Sequence, residues 1–209
     1  MKQIMDKLLC KIKLNKKVFV FLSIISVIAL ISGSLLVVLL DKSDKTLINT
    51  YLTNFMNDLS QNKIEYISVL KDSLISNVVL ILGIWLLGIS VIGIPVVLFI
   101  YFSQIFTFGF ALASLILNYK FKGLMLALIY TFPYYLIYLI VLIILTSYSV
   151  VLSLKLITNV IKKKQMDFKI ISNKYLYILL FSFIAIILCS LYETFALPNL
   201  IKIIIPILK

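Results

Sequence analysis

The side chains that most often carry enzyme chemistry are scarce in this chain. It has no histidine among its 209 residues, so the commonest general base and the commonest metal ligand are both missing. Ser–His and Cys–His nucleophile pairs are therefore impossible, and no GxxxxGK[ST] loop is present to bind nucleotide phosphates. These absences predict a protein that is not an enzyme and has no catalytic, cofactor-binding or metal site.

The cysteines and the acidic residues also lack a pattern typical of a site. Cys10 and Cys189 make no CxxC or zinc-ligand spacing, and Cys189 lies in an apolar run that predicts a small buried hydrophobic residue. Five of the eight acids fall between Asp41 and Asp72, where the pattern indicates the solvated face of an amphipathic helix. Glu193 is predicted at the edge of a membrane span, within reach of water.

Uncharged polar residues occur inside the apolar runs, where hydrogen bonds between helices are their expected role. They are Asn77, Ser103, Gln104, Thr107 and Asn118. Tyrosines cluster at positions 130, 134, 135 and 138, and packing between helices or at the interface is favoured over a pocket. Gly83, Gly88 and Gly93 recur every five residues, which does not match GxxxG and predicts close packing in a helical hairpin.

The composition requires lipid as the solvent for much of the chain. Hydrophobic residues make up 63% of it, charged residues only 13%, and the mean hydropathy is +1.15, whereas a soluble domain carries about 25% charged residues. All 20 basic residues are lysines, and with 8 acidic residues they give a net charge of +12. Because these lysines flank apolar runs, they predict contact with anionic membrane lipids and not with nucleic acid.

Apolar runs long enough to cross a bilayer recur along the sequence, since about 20 residues span the hydrocarbon core. The first run continues to Leu40 without the cleavage site of a signal peptide, which predicts an uncleaved span. The uncharged stretch Val78–Leu117 is too long for one straight helix, and Gly93 and Pro95 predict a break within it. The predicted spans are residues 18–40, 73–92, 95–117, 124–154 and 175–192.

The distribution of lysines predicts the orientation of these spans. Residues 1–17 hold six lysines and are predicted to be a basic cytoplasmic segment, either a short helix on the inner leaflet or a flexible flank. Five spans then place the lysine-rich loop 155–174 in the cytoplasm and the slightly acidic residues 41–72 outside. A single span over Val78–Leu117 would turn that basic loop outward, so charge favours the hairpin. The short loop with Lys120 and Lys122 places lysines on the outer side, where the rule disfavours them.

Residues 41–72 are predicted to form one or two outer amphipathic helices, because apolar residues recur at helical spacing. The repeats are Ile48, Leu52, Phe55 and Leu59, then Ile67, Leu70 and Leu74. This segment is the best candidate for a partner-binding surface, and the alternative is a loop that folds over its own bundle. The tail from residue 193 is placed at the outer interface. Residues 18–209 are thus predicted to form one membrane domain, an all-α polytopic helix bundle of about five spans with a cytoplasmic N-terminus.

From Asn77 onward the chain resembles the stage II sporulation protein M family. The matching features are Asn77, the stretch Gly-Ile-Ser-Val-Ile-Gly-Ile-Pro at 88–95, Gly109, Phe132-Pro133 and the region from Ser149 to Ile157. The broader family often follows the proline of the fourth span with a His-Gly pair and a downstream glutamate. Tyr134, Tyr135 and Tyr138 stand in those places here.

The resemblance implies a multi-pass cell-membrane scaffold for engulfment in an endospore-forming bacterium. It implies partners resembling stage II sporulation proteins D and P, which degrade peptidoglycan, and a location in the septal or mother-cell membrane. A competing hypothesis is a permease or a membrane subunit of an export system, with the broken Gly93–Pro95 region lining a path. A helper for membrane-protein assembly is a third.

Overall fold

The computed structural model describes residues 15–61, 65–90, 92–128, 132–162 and 168–199. These residues form six helices and no strand: α1 (Lys16–Leu39), α2 (Lys42–Ser60), α3 (Tyr66–Gly88), α4 (Gly93–Leu126), α5 (Phe132–Lys162) and α6 (Phe168–Leu191). The helix of α6 continues through a π-helical turn at Tyr192–Ala196. All except α2 are long and apolar enough to cross a membrane. The prediction of an all-α bundle with five spanning helices is confirmed.

Side-chain hydrogen bonds define the relative directions of the helices. Ser26 and Tyr101 of α1 and α4 are joined hydroxyl to hydroxyl at 2.6 Å, and further along both helices Ser34 donates to the Gly109 carbonyl at 3.2 Å. The residues of each pair are 75 positions apart, so both helices advance by eight residues from the first contact to the second. The α1 and α4 helices therefore run parallel.

The α3 and α5 helices are also parallel to each other. Ser149 donates to the Ile84 carbonyl at 3.2 Å, and Ser153 to the Gly88 carbonyl at 2.8 Å, each across 65 positions. The α6 helix runs against α3, since Ser73 bonds to Ser190 near one end and Tyr175 to the Trp85 carbonyl near the other. The spans therefore alternate in direction along the chain, as a hairpin at Gly93–Pro95 requires.

Polar caps satisfy backbone groups at both ends of α1. The Asn15 side chain accepts from the backbone N–H of Lys17 at 3.1 Å, as N-cap residues do. At the other end, Leu40 leaves the helix in an extended conformation, and the Lys45 ammonium donates to the Val38 carbonyl at 2.8 Å. A lysine at this end also complements the negative pole of the helix dipole.

The turn between α3 and α4 is tight. The N–H groups of Ile89 and Ser90 bond back to the carbonyls of Leu86 and Leu87. Gly93 is buried where a β-carbon would overlap the Leu87 carbonyl, so only glycine fits without a shift. Pro95 lies in the first turn of α4, a position where its missing N–H is not needed.

The fourth span begins later than the predicted residue 124. The α4 helix bends sharply at Lys120, whose φ of 51° and ψ of −127° are non-helical. The short helical segment after the bend packs back on α4, where Gly123 lies against the Leu115 carbonyl. The α5 helix starts at Phe132, with Pro133 in its first turn. Residues 124–128 therefore belong to a folded-back cap on α4 and not to the next span.

The other helix ends extend beyond the predicted spans. The α3 helix begins at Tyr66 and not at 73, so the second half of the outer segment 41–72 is continuous with the span. The α5 helix runs to Lys162 and α6 starts at Phe168, inside the predicted loop 155–174. The helices continue into these polar stretches because no glycine or proline interrupts them there. The predicted segment 1–17 lies almost wholly outside the described residues, as do residues 200–209 of the tail.

One buried core joins all five spans. Its fully enclosed side chains include Leu22 of α1, Ile84 of α3, Tyr101 and Ile105 of α4, Leu145 of α5 and Ile186 of α6. A smaller cluster of Leu115, Leu126 and Ala127 packs beneath Leu52 and Met56 of α2. This smaller cluster attaches α2 to the bundle.

Candidate functional site

Two features of the end of the bundle that carries α2 stand out as candidates for function: the surface of α2 and the cavity beneath it. Among the described residues, no group of three or more His, Cys, Asp or Glu side chains is placed to hold a metal ion. Cys189 is buried and unpaired, as its apolar surroundings predicted. Cys10 lies outside the described residues.

The α2 helix lies against the bundle by one side only. Ile48, Leu52 and Met56 are half-buried and recur every four residues, so they form one face of the helix. Leu47 and Tyr51 lie on an adjacent face and are 57% and 75% exposed. Of the predicted repeat, Ile48 and Leu52 lie on the half-buried face, whereas Phe55 is 40% exposed and borders the cavity. Part of the apolar surface of α2 is therefore exposed. The side chain of Leu59, also part of the predicted repeat, is not among those described.

A cavity of about 440 Å³ separates α2 from the spanning helices. Its walls come from α2, α4, α5 and the end of α6, and they are almost entirely apolar. Four polar side chains reach it besides Tyr51: Ser114, Tyr134, Tyr135 and Glu193. A volume of this size falls in the range of small-molecule sites.

Ser114 is the most enclosed polar group in the cavity wall. Its side chain is 4% exposed, and its hydroxyl has no hydrogen-bond partner among the described residues. Its own backbone carbonyl is occupied by the Asn118 amide at 2.8 Å. A buried hydroxyl without a partner costs free energy, and a ligand group is one way to satisfy it.

Glu193 belongs to a network of polar groups that joins α3 to α6. Its carboxylate accepts from the Ser73 hydroxyl at 2.7 Å. The Asn77 amide donates to the hydroxyls of Ser73 and Ser190 at 3.3 and 3.2 Å. Glu193 lies within the π-helical turn, a distortion that occurs frequently at functional sites. The helix continues past it to residue 199, so Glu193 is part of the fifth span.

The tyrosines of α5 pack between helices and also reach the cavity. Tyr135 stacks on Phe108 of α4 with ring centroids 3.9 Å apart, and it meets Tyr134 and Tyr138 edge to face. Tyr138 is buried and donates to Gln104 at 3.0 Å. Tyr134 and Tyr135 line the cavity. The packing role is therefore present together with the pocket role that the sequence favoured less, while Tyr130 lies outside the described residues.

The predicted hydrogen bonds between helices form in part. Asn77 and Gln104 bond to other helices. Thr107 and Asn118 bond instead to carbonyls of their own helix, those of Ser103 and Ser114. This pattern is common for short polar side chains in helices, because the carbonyl four residues earlier is always within reach.

A second polar network lies at the opposite end of the bundle. The Tyr175 hydroxyl donates to the Trp85 carbonyl at 2.8 Å and contacts the Ser149 hydroxyl at 2.9 Å. The rings of Tyr175 and Trp85 also stack on each other. Gly88 lies beside Tyr175 and Ser149, where a β-carbon would overlap both. The Gly93–Pro95 turn is at this same end, away from the cavity beneath α2.

The two networks lie near opposite ends of the spanning helices. Tyr175 and Glu193 are eighteen residues apart on α6, which corresponds to about 27 Å along a helix. The hydrocarbon core is about 30 Å thick. Gly93 and Ala111, the latter in the cavity wall, are separated by the same number of residues on α4. The two networks are therefore separated by about the thickness of a hydrocarbon core, and the cavity lies at the end of the spanning helices that carries α2.

Sequence reasoning did not identify Ser73, Ser114, Ser190 or the cavity role of Glu193. A partial signal existed for Glu193, because the apolar residues Phe195, Ala196 and Leu197 follow it and indicate a longer span. Ser190 and Glu193 are also three residues apart and share a helix face. Nothing local marks Ser73 as their partner, 117 positions from Ser190.

Comparison with known proteins identifies one relationship. The family model described as Stage II sporulation protein M matches residues 18–198, which is most of the chain. No curated protein and no solved structure matches significantly. The matched range begins within α1 and ends just after the π-helical turn, so it includes all five spans, α2 and the cavity.

Proposed function

The chain belongs to the stage II sporulation protein M family, and on this premise we propose that it is a non-enzymatic scaffold in the membrane. It recruits or anchors peptidoglycan-degrading enzymes at the septal membrane during engulfment. The family and the five spanning helices make it a sporulation membrane protein. The resemblance to the family supplies the class of partner, enzymes like stage II sporulation proteins D and P.

The observation that carries the proposal is the surface of α2. This helix is not among those apolar enough to span, and its Leu47 and Tyr51 side chains are largely exposed, although Tyr51 also borders the cavity. Exposed leucine and tyrosine on one helix face are typical of a groove-binding helix, and tyrosine is enriched at binding hot spots. With the N-terminus in the cytoplasm, this face lies on the side of the membrane where the cell wall is built.

The distribution of the lysines supports an outward-facing α2. Lys155 and Lys174 lie at the opposite end of the bundle from α2 and are exposed. The rule that basic loops stay in the cytoplasm then places α2 outside. A wall-degrading enzyme acts in this outer space, so it would meet α2 without crossing the membrane.

Co-purification with the wall-degrading partner tests the proposal. Tagged chain is extracted from sporulating cells in mild detergent, and the bound hydrolase is quantified. The double variant Leu47→Glu with Tyr51→Glu places two charges on the exposed apolar face, and we expect recovery of the hydrolase to fall at least tenfold. The cause is the burial of unpaired charge in the interface.

The matched control adds the same charges to the polar face of the same helix. Thr46 and Thr53 are exposed, lie seven residues apart on one face, and bond to carbonyls of their own helix or to Asn49. Thr46→Glu with Thr53→Glu should leave recovery unchanged. Equal loss in both double variants, or persistent recovery with the Leu47 and Tyr51 pair replaced, would count against α2 as the docking helix.

A further inference from the structure

The cavity beneath α2 is shaped and placed for a lipid. We propose that it binds one phospholipid with a primary amine in its head group, such as phosphatidylethanolamine, with the amine on Glu193 and an acyl chain against the apolar walls. This inference does not depend on the scaffold function. It concerns mainly the face of α2 that looks toward the bundle, and of the two residues on which the scaffold proposal rests, Tyr51 also borders the cavity whereas Leu47 does not.

The first argument is position. The cavity lies at the edge of the hydrocarbon, where glycerol and head groups meet acyl chains. Its apolar walls include Phe110 and Ala111 of α4 and Leu197 at the end of α6, all on spanning helices. A cavity of about 440 Å³ with such walls is costly to fill with water but suits a hydrocarbon chain.

The second argument is charge. Glu193 is the acidic residue in the described lining, and no lysine accompanies it there. Its carboxylate receives hydrogen bonds from the hydroxyls of Ser73 and Tyr134, which leaves further acceptor positions for a donor inside the cavity. A carboxylate at this depth favours an ammonium head group and disfavours the anionic head group of phosphatidylglycerol.

The third argument is the unsatisfied hydroxyl of Ser114. This group is nine-tenths buried, lines the cavity and has no partner among the described residues. The ester carbonyls of a phospholipid are acceptors that lie just inside its head group, where the acyl chains begin. A bound lipid would therefore satisfy Ser114 and Glu193 with two different parts of one molecule.

The proposal is tested with the whole chain in vesicles of equal phosphatidylethanolamine and phosphatidylglycerol. After gentle extraction, native mass spectrometry counts the lipids that stay bound. We expect one lipid to be retained per chain, with phosphatidylethanolamine enriched at least fivefold over phosphatidylglycerol. Equal retention of the two lipids by the unmodified chain would overturn the proposal, as would a bound peptide or second copy of the chain in place of lipid.

Two kinds of variant separate the head-group site from the chain site. Glu193→Gln keeps the size of the side chain and should abolish the preference for the amine lipid. Ala111→Phe fills the cavity and should remove the bound lipid of either kind. Ser114→Ala is the variant least disruptive to folding, and it should lower retention severalfold with no loss of thermal stability in detergent.

The control removes a carboxylate elsewhere at the same end of the protein. Glu65 is exposed at the start of α3 and does not line the cavity. Glu65→Gln should keep the lipid preference of the unmodified chain. If Glu193→Gln retains that preference and Ser114→Ala retains as much lipid as the unmodified chain, the cavity is not the lipid site. Because Tyr51 borders the cavity, Leu47→Glu alone separates the two proposals: it should lower hydrolase recovery and keep lipid retention. Glu193→Gln should do the reverse, keeping hydrolase recovery and losing the preference for the amine lipid.

Discussion

Gly33 of α1 and Gly109 of α4 pack in reciprocal contact where the two parallel helices cross. A β-carbon at Gly33 would overlap the carbonyl of Phe106, and a β-carbon at Gly109 would overlap the carbonyl of Leu30. The Ser34 hydroxyl donates to the Gly109 carbonyl across the same crossing. In lipid there is no hydrophobic drive between apolar helices, so close backbone approach at small residues is a main source of their association.

Replacing Gly109 with leucine should therefore separate α1 from α4. The new side chain meets rigid backbone of α1, and overpacking of this kind costs about 1–3 kcal/mol. We expect the free energy of unfolding to fall by about that amount, measured by denaturant titration in detergent micelles. Gly83→Leu is the matched control, because no atom lies within 4 Å of the β-carbon position there. Equal destabilisation by both variants would contradict the crossing.

Ser153 should stabilise the end of α3 from a neighbouring helix. Its hydroxyl lies within 2.8 Å of the Gly88 carbonyl at the end of α3 and 3.0 Å of the Ser90 carbonyl, which also accepts from the backbone N–H of Gly93. We expect Ser153→Ala to lower the free energy of unfolding by about 1 kcal/mol, since such bonds between membrane helices contribute about 0.6–1.7 kcal/mol. Amide hydrogen exchange in the α3–α4 turn should quicken in the same variant.

Thr158 provides the comparison for Ser153 on the same helix. It is exposed and bonds only to the Leu154 carbonyl of its own helix. Thr158→Ala should leave both the stability and the exchange of the turn unchanged. A Ser153→Ala protein as stable as the unmodified chain, with unchanged exchange, would show that the turn holds without this bond.

Lys120 carries backbone strain that glycine should relieve. Its φ of 51° with ψ of −127° is the region of the first central residue of a type II′ turn, which glycine adopts far more readily than lysine. Such outliers cost about 1–3 kcal/mol. We expect Lys120→Gly to raise the free energy of unfolding by about 1 kcal/mol. Lys120→Ala removes the same charge but keeps a β-carbon, so it should give no gain in the same denaturation experiment.

Much of the fold could be predicted because its signals are local. The uncharged length of Val78–Leu117 and the glycine and proline at 93 and 95 mark a break, and the structure turns there. The start of α5 could not be predicted in the same way. Leu124 and Met125 continue the apolar pattern, while the reversal that removes them from the span occurs at a lysine with no local turn signal.

The candidate site depends more on tertiary contacts than the fold does. Glu193 looks interfacial in the sequence, and hydrogen bonds from Ser73 of α3, 120 positions away, and from Tyr134 of α5 bring it into a polar network. Ser114 is one of many serines in apolar runs, and its burial without a partner is set by helices that pack around it. Gly33 and Gly109 likewise belong to different helices, so their crossing leaves no motif within either one.

The side of the membrane on which α2 lies decides whether it can meet enzymes of the wall. A chain with Cys10→Ser and Cys189→Ala carries a single new cysteine at Asp58 or at Lys155, both exposed and at opposite ends of the bundle. Because basic loops stay in the cytoplasm, Asp58→Cys should react with a membrane-impermeant maleimide in intact cells, and Lys155→Cys only after lysis. The two positions serve as controls for each other, since both must react fully once the cells are opened. The opposite pattern would put α2 in the cytoplasm, where it could not hold an enzyme that cuts peptidoglycan, while the amine-lipid site would remain testable in the inner leaflet.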